Sequence, residues 1–276
     1  MRSQISWEEA VRWLRSQPQH AELVKACFFD DPLIEAARRY RASSEWSAVR
    51  ALLPRVAGNA LDVGAGRGIA SYALACDGWQ TTALEPDASD LVGAGAVRGL
   101  AEEAGLDIQV VQDWGESLPF EDGSFDLVLG RQVLHHARDL PALCREIARV
   151  LRPGGTFLAT REHVISRRGD IAAFLAAHPT HFLHGTEHAY LLSEYLTAIR
   201  SAGIELTGIL NPLQSDINLY PETRFSIRRI LAKRLLWPFP EMIPDALVGW
   251  LGGLLRTPGR VYSFVGRKNS AGVRVG

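Results

Sequence analysis

The chain has 276 residues, of which 47% are hydrophobic, and its formal net charge is −1. A chain of this length and composition can bury a substantial core as one elaborated domain, and its near-neutral charge argues against bulk nucleic-acid binding. Its three cysteines, Cys27, Cys76 and Cys144, lie far apart, so neither a disulfide framework nor a thiolate zinc site is indicated. A polar stretch at residues 7–9 and the lack of a membrane-length apolar run lead us to expect a soluble, cytoplasmic protein.

Positive charge is concentrated in the C-terminal part of the chain. From Arg224 onward there are ten lysine and arginine residues against Glu241 and Asp245, which gives a net charge of +8. The preceding part therefore carries −9. A basic rim of this kind would suit a nucleotide-linked, phosphorylated or lipid-linked acceptor.

The chain before residue 57 is predicted to be helical. Apolar spacing suits a helix from Ile5 to Leu14 and another around residues 22–29, and the sequence Asp-Asp-Pro at 30–32 is a stop-and-restart signal. A further helix is predicted from Leu33 into the region of Tyr40.

Residues 59–158 alternate short apolar runs with longer helical patterns, which is typical of a parallel sheet covered by helices on both faces. Strands are predicted near 60–63, 80–85, 107–112, 125–130 and 155–162, and helices near 68–77, 89–104 and 139–151. In such a sheet a ligand binds at the carboxyl ends of the strands, where the connections diverge to opposite sides.

A glycine-rich turn follows the first predicted strand. Gly64, Gly66 and Gly68 alternate with other residues, and Asp62 lies two positions before the first of them. Glycines here let the backbone turn sharply and leave room for a ligand against backbone N–H groups and the next helix N-terminus. The position that would hold the third glycine of a nicotinamide-binding fingerprint is Ile69, which speaks against that class.

Acidic and apolar motifs follow in order. Glu85 ends the second strand, where a carboxylate can accept hydrogen bonds from both ribose hydroxyls, and Pro86 could lie against a base. The runs E-S-L-P-F at 116–120, G-S-F-D-L-V-L at 123–129 and E-I-A-R-V-L-R-P-G-G at 146–155 come next.

Together these motifs resemble those of the S-adenosylmethionine-dependent methyltransferases with a Rossmann-like fold. The resemblance implies a seven-stranded, mostly parallel sheet ending in an antiparallel hairpin. It also implies that the turn, including Ala65, holds the methionine part of the cofactor, with Asp62 near its ammonium group. Arg131, just after the fourth strand, is placed among the cofactor-binding residues.

One position departs from the family pattern. Relatives often have an aspartate two residues before the glutamate of the E-x-L-P-F run, where this chain has Trp114, with Asp113 one residue earlier. Either Asp113 reaches the adenine through a shifted loop or Trp114 packs on the base. Because the segment before the first strand covers the cofactor in relatives, Tyr40 and Trp46 are candidates for that cover, with plain helix packing as the alternative.

Histidines supply the candidate catalytic groups. The family often has a histidine pair on the wall between cofactor and acceptor, here His135 and His136, and a histidine can act as general base near neutral pH. Four more histidines fall between His178 and His188. They repeat no known ligand spacing, so no metal is expected, and a wall of the substrate pocket is preferred. His136 and His181 are the predicted general bases. The alternative is that the adjacent histidines His135 and His136 have a purely structural role.

The resemblance divides the chain into four parts. Residues 1–56 would form a helical cover, and 57–210 with 260–268 would form the cofactor-binding core, which carries a substrate-side insertion at 163–192. Residues 211–259 would be a basic helical insertion before the last strand. Within 224–240 an apolar stripe faces basic residues, which suits either a helix capping the substrate site or one lying on an anionic membrane.

These observations predict an S-adenosylmethionine-dependent methyltransferase that needs no metal and acts on a small molecule or sugar-type precursor, with no nucleic-acid partner. Transfer to oxygen is favoured because the chain has neither an N-P-P-[YF] run nor a cysteine beside the glycine turn. Methylation of nitrogen or carbon remains an alternative, as do a nicotinamide-dependent oxidoreductase and a non-catalytic cofactor-binding protein.

Overall fold

One mixed sheet forms the centre of the molecule. The computed structural model describes residues 5–177, 184–185 and 187–270. The sheet has the order β3-β2-β1-β4-β5-β8-β7, and the short β6 pairs with β5 beside this path. The strands are β1 (Asn59–Val63), β2 (Gln80–Leu84), β3 (Ile108–Val111), β4 (Phe125–Arg131), β5 (Leu151–Ile165), β6 (Tyr190–Leu191), β7 (Ile204–Leu210) and β8 (Arg260–Lys268).

Strand direction follows the predicted pattern. The strands β1 to β5 pair in parallel, and β8 lies antiparallel between β5 and β7. The final hairpin and the mostly parallel sheet are therefore confirmed. The structure adds β6 to the seven predicted strands. It also extends β5 to Ile165, where it pairs in parallel with Leu191.

Helices cover both faces of the sheet. The helices are α1 (Trp7–Arg15), α2 (Ala21–Ala26), α3 (Leu33–Arg41), α4 (Ser44–Arg50), α5 (Ile69–Cys76), α6 (Ala94–Ala104), α7 (Leu140–Val150), α8 (Ile171–Ala177), α9 (Leu192–Ser201), α10 (Asp216–Leu219), α11 (Arg224–Arg234) and α12 (Asp245–Leu254). Short 3-10 turns occupy Pro18–His20, Leu134–His136, Arg168–Asp170 and Pro240–Met242. The helices α3, α4 and α5 belong to one buried apolar cluster and α7 and α9 to the other, as the two-faced pattern requires.

Local chemistry accounts for one shifted boundary. The helix predicted from residue 89 begins at Ala94. Ser89 instead forms a turn, because its N–H donates to Asp87 Oδ1 and its hydroxyl accepts from the N–H of Leu91. Short polar side chains that bond nearby backbone groups compete with helix formation in this way.

The C-terminal insertion departs from the expected cap. A cap on the substrate site was the favoured placement of its apolar stripe, with a membrane surface as the alternative. Phe225, Ile230 and Leu235 are exposed, while Ile227 and Leu231 pack on a small buried cluster. No helix within the described residues combines the length and apolar character needed to cross a membrane.

Candidate active site

The glycine turn lies at the carboxyl end of β1 and shapes one end of a large cavity. Gly64, Gly66 and Gly68 have φ angles of 64°, 54° and 80°, which side chains with a Cβ rarely adopt. The N–H of Ala65 donates to Leu84 O at 3.0 Å and holds the turn against β2. A Cβ at Gly66 would meet no atom within 4 Å, so the space beside it is open to a ligand.

Glu85 lies beside this turn, at the end of β2. Its carboxylate accepts from the N–H of Gly66 at 2.8 Å and from the N–H of Asp87 at 2.9 Å. Burial raises the pKa of Glu85, although both hydrogen bonds act in the opposite direction. With Pro86, it lines the cavity. A carboxylate fixed at this depth can accept from two hydroxyl groups of one ligand.

Asp62 is 1% exposed and also lines the cavity. Its Oδ2 accepts from the Ser71 hydroxyl at 2.6 Å. Burial raises the pKa of Asp62 to about 7, because a poorly hydrated site disfavours the charged form. A cationic ligand here would restore the ionised form.

The loop after β3 carries Asp113 and Trp114, the two candidates for contact with the adenine. Trp114 lines the cavity, and the guanidinium carbon of Arg138 lies 4.4 Å from the centre of its ring. Asp113 is not among the described lining residues, and its Oδ1 accepts from the N–H of Trp114. The arrangement therefore favours Trp114 as the residue that faces the ligand.

The cavity has a volume of about 910 Å³, within the range of sites that hold a cofactor and a small ligand. Its wall also draws on the N-terminal helices and the loop after them, through Trp7, Leu14, Leu23, Phe28 and Phe29. Arg67 ties that segment to the glycine turn by donating to the carbonyl oxygens of Phe28 and Asp30, each at 2.8 Å. The N-terminal part is thus anchored where the predicted cover would lie.

Tyr40 and Trp46 lie in the core and not among the described lining residues. Both are buried, with ring centres 5.6 Å apart. The Trp46 indole N–H donates to Asp77 Oδ2 at 3.0 Å. This placement fits the alternative interpretation, in which the two aromatic residues pack between helices and do not cover the cofactor.

Arg131 lines the cavity, but its guanidinium group pairs with a buried glutamate. Its Nε and Nη2 donate to the two carboxylate oxygens of the fully buried Glu45, at 2.7 and 3.1 Å. Nη1 donates to Gln132 Oε1 at 2.9 Å. The pair joins the end of β4 to α4, and the predicted cofactor contact of Arg131 stays a prediction.

His135 is held by a buried glutamate at the other end of the cavity. Glu162 of β5 is 0% exposed and accepts from the backbone N–H groups of Val133, Leu134 and His135, each at 3.1 Å. Its Oε2 lies 2.7 Å from His135 Nδ1. Burial raises the pKa of Glu162 to about 7. When this carboxylate is ionised it only accepts, so Nδ1 carries the hydrogen and Nε2 of His135 has the lone pair.

Further histidines and one glutamate gather around His135. The ring centres of His136 and His163 lie 4.2 and 4.7 Å from those of His135. Glu187 and His188, which precede β6, also line the cavity. Burial raises the pKa of Glu187 to about 7 and lowers the pKa values of His163 and His188. His184 lines the wall near Trp7, whereas the predicted residues His178 and His181 lie outside the described part of the chain.

Sequence reasoning missed three residues at this end: Glu162, which is buried behind the wall, and His163 and Glu187, which line it. The first two lie on β5, which was predicted to end at Glu162 and in fact continues to Ile165. Glu187 reaches the wall because β6 pairs with the end of β5 and the Tyr190 hydroxyl donates to Ala137 O at 2.8 Å. An acidic residue next to a histidine at 162–163, at the end of a predicted buried strand, was the sequence signal that could have indicated these site residues.

Comparisons with known proteins identify the family. Residues 61–159 match a family described as a methyltransferase domain. A ubiquinone biosynthesis O-methyltransferase of Methylobacterium nodulans is 32% identical over 169 residues, which cover 58% of this chain and 67% of that protein. One of the same name from Xanthomonas campestris is 38% identical over 119 residues, 42% of this chain and about half (47%) of that protein.

The fold is shared with solved structures of low sequence identity. A geranyl diphosphate C-methyltransferase from Streptomyces coelicolor, solved with Mg²⁺, geranyl diphosphate and S-adenosyl-L-homocysteine, superposes with a TM-score of 0.60. It is 16% identical, and the match covers 93% of this chain and 87% of that one. At this identity the likeness concerns the fold alone.

Proposed function

The chain belongs to the S-adenosylmethionine-dependent methyltransferases with a Rossmann-like fold, and we propose that it methylates an oxygen atom of a small molecule or sugar-type precursor. The glycine turn, Asp62, Glu85 and Trp114 would hold the cofactor. The open space beside Gly66 and the buried carboxylates of Asp62 and Glu85 fit a cationic nucleoside ligand.

Methyl transfer requires an electron pair on the acceptor. When bound, S-adenosylmethionine supplies an electrophilic methyl group, and the bond between that carbon and sulfur breaks with its electron pair passing to sulfur. A hydroxyl group is a weak nucleophile until it loses its proton. The chain therefore has to position the acceptor and take up that proton.

The histidine wall is the observation that carries the assignment to oxygen. His135, His136, His163 and His188 surround one end of the cavity, and Glu162 fixes the ring of His135. Imidazole accepts protons near neutral pH, and a second group that orients it is the usual arrangement of a general base. We assign the acceptor to this end of the cavity and the removal of its proton to this wall.

The acceptor class is a separate part of the proposal. The relative with 32% identity is named for ubiquinone biosynthesis and for O-methyl transfer, which supports an oxygen acceptor on a small molecule. A lipid-linked or phosphorylated acceptor would also fit the apolar and basic surface of the C-terminal insertion. Transfer to nitrogen or carbon is the competing function.

A product analysis tests the proposal. The protein would be incubated with cofactor labelled in the methyl group and with phenols, free sugars, nucleotide-linked sugars and lipid-linked sugars. We expect a labelled methyl ether. A label on carbon or nitrogen would refute the oxygen assignment, and cofactor binding by calorimetry with no transfer to any acceptor would favour a non-catalytic binding protein.

A further inference from the structure

Two residues of the histidine wall and a neighbouring glutamate form a candidate ligand set for a metal. His135 and His136 follow β4, and Glu187 precedes β6, yet one ligand atom from each falls within 4.8 Å of the others. Two imidazoles and one carboxylate are a set that binds divalent first-row metals with coordination positions left open. We propose that these three residues bind a divalent cation such as Zn²⁺, contrary to the metal-free site predicted from ligand spacing along the chain.

The surroundings of His135 match those of a metal ligand. Ligating histidines almost always donate their other ring N–H to a carboxylate or carbonyl, which fixes the ring and its tautomer. Glu162 accepts from Nδ1 of His135 at 2.7 Å and is itself fixed by three backbone N–H groups. Nε2 of His135 then carries the lone pair through which an imidazole binds a cation.

The spacing of the ligand atoms is close to what one cation needs. Ligands held at about 2.0–2.2 Å from a metal lie up to about 4 Å apart. A shift of about 1 Å, within the range of side-chain adjustment, brings all three into one coordination sphere. The set was invisible in the sequence because Glu187 is separated from the histidine pair by more than fifty residues.

A cation here would change how the acceptor is activated, a role that rests on the proposed function. An acceptor hydroxyl bound to the cation loses its proton to solvent more readily, because a divalent metal lowers the pKa of a bound O–H group. The resulting oxygen keeps the electron pair that forms the bond to the methyl carbon. His135 and His136 would then act as ligands, and the cation would replace the general base.

Metal titrations without acceptor test the site independently of activity. Chelator-treated full-length protein would be titrated with Zn²⁺ by calorimetry, and with Co²⁺ by visible absorption, which reports the ligand field. We expect one site per chain, loss of that site in H136A and E187Q, and a binding weakened by about 10–100-fold in E162Q. H188A changes a neighbouring wall histidine outside the set and should bind as the wild type does.

The outcomes separate this proposal from the proposed function. Equal binding by wild type and H136A, or no binding by the wild type, would overturn the metal site. Circular dichroism of each variant checks that it folds, and E187Q, which is isosteric, keeps the test valid if H136A does not. Cofactor binding measured in the same samples, and methyl transfer that survives chelation, would leave the methyltransferase assignment in place.

A second surface stands apart from the cavity. Of the twelve large hydrophobic residues that are exposed in the described chain, all but Val56 and Trp114 lie between 225 and 254. On α12, Leu247, Trp250 and Leu254 recur at helical spacing on the exposed side. Such a concentration of exposed apolar side chains in one segment is typical of an interaction site. We call residues 224–256 the apolar-basic face.

Basic residues lie among these apolar side chains. Arg229, Lys233, Arg234 and Arg256 are exposed, whereas Arg224 and Arg228 pair with Asp245. Leu236 is 92% exposed and stands next to Trp237 in the segment after α11. Protruding leucine and tryptophan flanked by arginine and lysine suit the boundary between lipid headgroups and acyl chains.

From charge complementarity and these protruding side chains, we infer that the apolar-basic face docks on an anionic lipid surface. Each lysine or arginine near such a surface adds attraction, and each buried apolar side chain anchors the protein further. A second copy of this chain fits less well, because the exposed arginines and lysine would face one another across a symmetric interface.

Vesicle sedimentation tests the lipid surface. We expect the protein to sediment with phosphatidylglycerol-containing vesicles, weakly with phosphatidylcholine alone, and less as salt increases. L236S should reduce the bound fraction by about tenfold or more, while V56S, which changes an 82% exposed valine elsewhere, should not. Failure to bind anionic vesicles, or equal loss in V56S, would overturn the inference, as would a concentration-dependent dimer whose formation L236S abolishes.

Discussion

The two ends of the cavity are built differently. The cofactor end comes from one continuous unit, since β1, the glycine turn, α5 and β2 bring Asp62, Gly66 and Glu85 together within 24 residues. The acceptor end combines the loop after β4, the end of β5 and the segment before β6, so that the pair His135 and His136 lies more than fifty residues from Glu187 along the chain. A local motif can be recognised in a sequence, whereas a site assembled across strands depends on register.

The largest expected effect is at the acceptor end. Replacing His135 with glutamine should lower turnover by about 10²–10⁴-fold, whether the imidazole takes the acceptor proton or holds a cation. Cofactor affinity by calorimetry should change little, because the proposed cofactor contacts come from the glycine turn, Asp62, Glu85 and Trp114. His184→Gln alters another wall histidine and is the matched control. An equal loss in both variants would contradict the special position of His135.

At the cofactor end, Glu85→Ala should weaken cofactor binding by about 1–3 kcal/mol, because a charged acceptor is lost. Asp113→Ala, which changes a carboxylate outside the described cavity wall, should bind normally. Glu85→Gln keeps one side-chain oxygen to accept from the N–H of Gly66. If Glu85→Gln also binds the cofactor weakly, the loss comes from the contact with the ligand and not from the contact with Gly66. Unchanged cofactor affinity in both variants would exclude Glu85 as the ribose ligand.

Asp62 gives the cofactor end a dependence on pH. Burial raises its pKa to about 7 from 3.8, so below pH 7 a cationic ligand must displace a proton to obtain the carboxylate. Affinity for S-adenosylmethionine should therefore rise by about tenfold from pH 6 to pH 8. Without ligand, the unfolded chain releases this proton first, so the free energy of unfolding should fall as pH rises from about 4 to 7.

Asp62→Asn tests that dependence. Asparagine still offers an oxygen to the Ser71 hydroxyl, which donates at 2.6 Å in the wild type, but it cannot ionise. Calorimetry of both proteins across the pH range isolates the contribution of Asp62, because titration of the ligand itself is common to both. The same slope in the two proteins would show that another group controls binding.

The contrast between the ends also explains what could be predicted from the sequence. The fold and the cavity positions of Asp62, Gly66, Glu85 and Trp114 follow from local patterns, since each is fixed by its place at a strand end or turn. The role of Glu162 was missed although its strand was predicted, because it depends on contact with the loop after β4. Glu187 could not be predicted, because its position depends on the pairing of β6 with the extended end of β5. The apolar stripe and basic residues of 224–240 were recognised in the sequence, but the choice between a cap and a membrane surface stayed open, because a helical stripe does not show which side faces the protein.

The smallest effect concerns Tyr40, which was predicted to cover the cofactor and lies in the core. Its hydroxyl is buried and has no hydrogen-bond partner among the described residues, and its ring packs edge-on against Phe28 at 5.2 Å. Tyr40→Phe removes a polar group that gains nothing from burial, so the free energy of unfolding should rise by about 1 kcal/mol. Cofactor affinity should not change. Denaturant unfolding and calorimetry of the same variant distinguish the two placements, because a residue that covers the cofactor would weaken binding when its hydroxyl is lost.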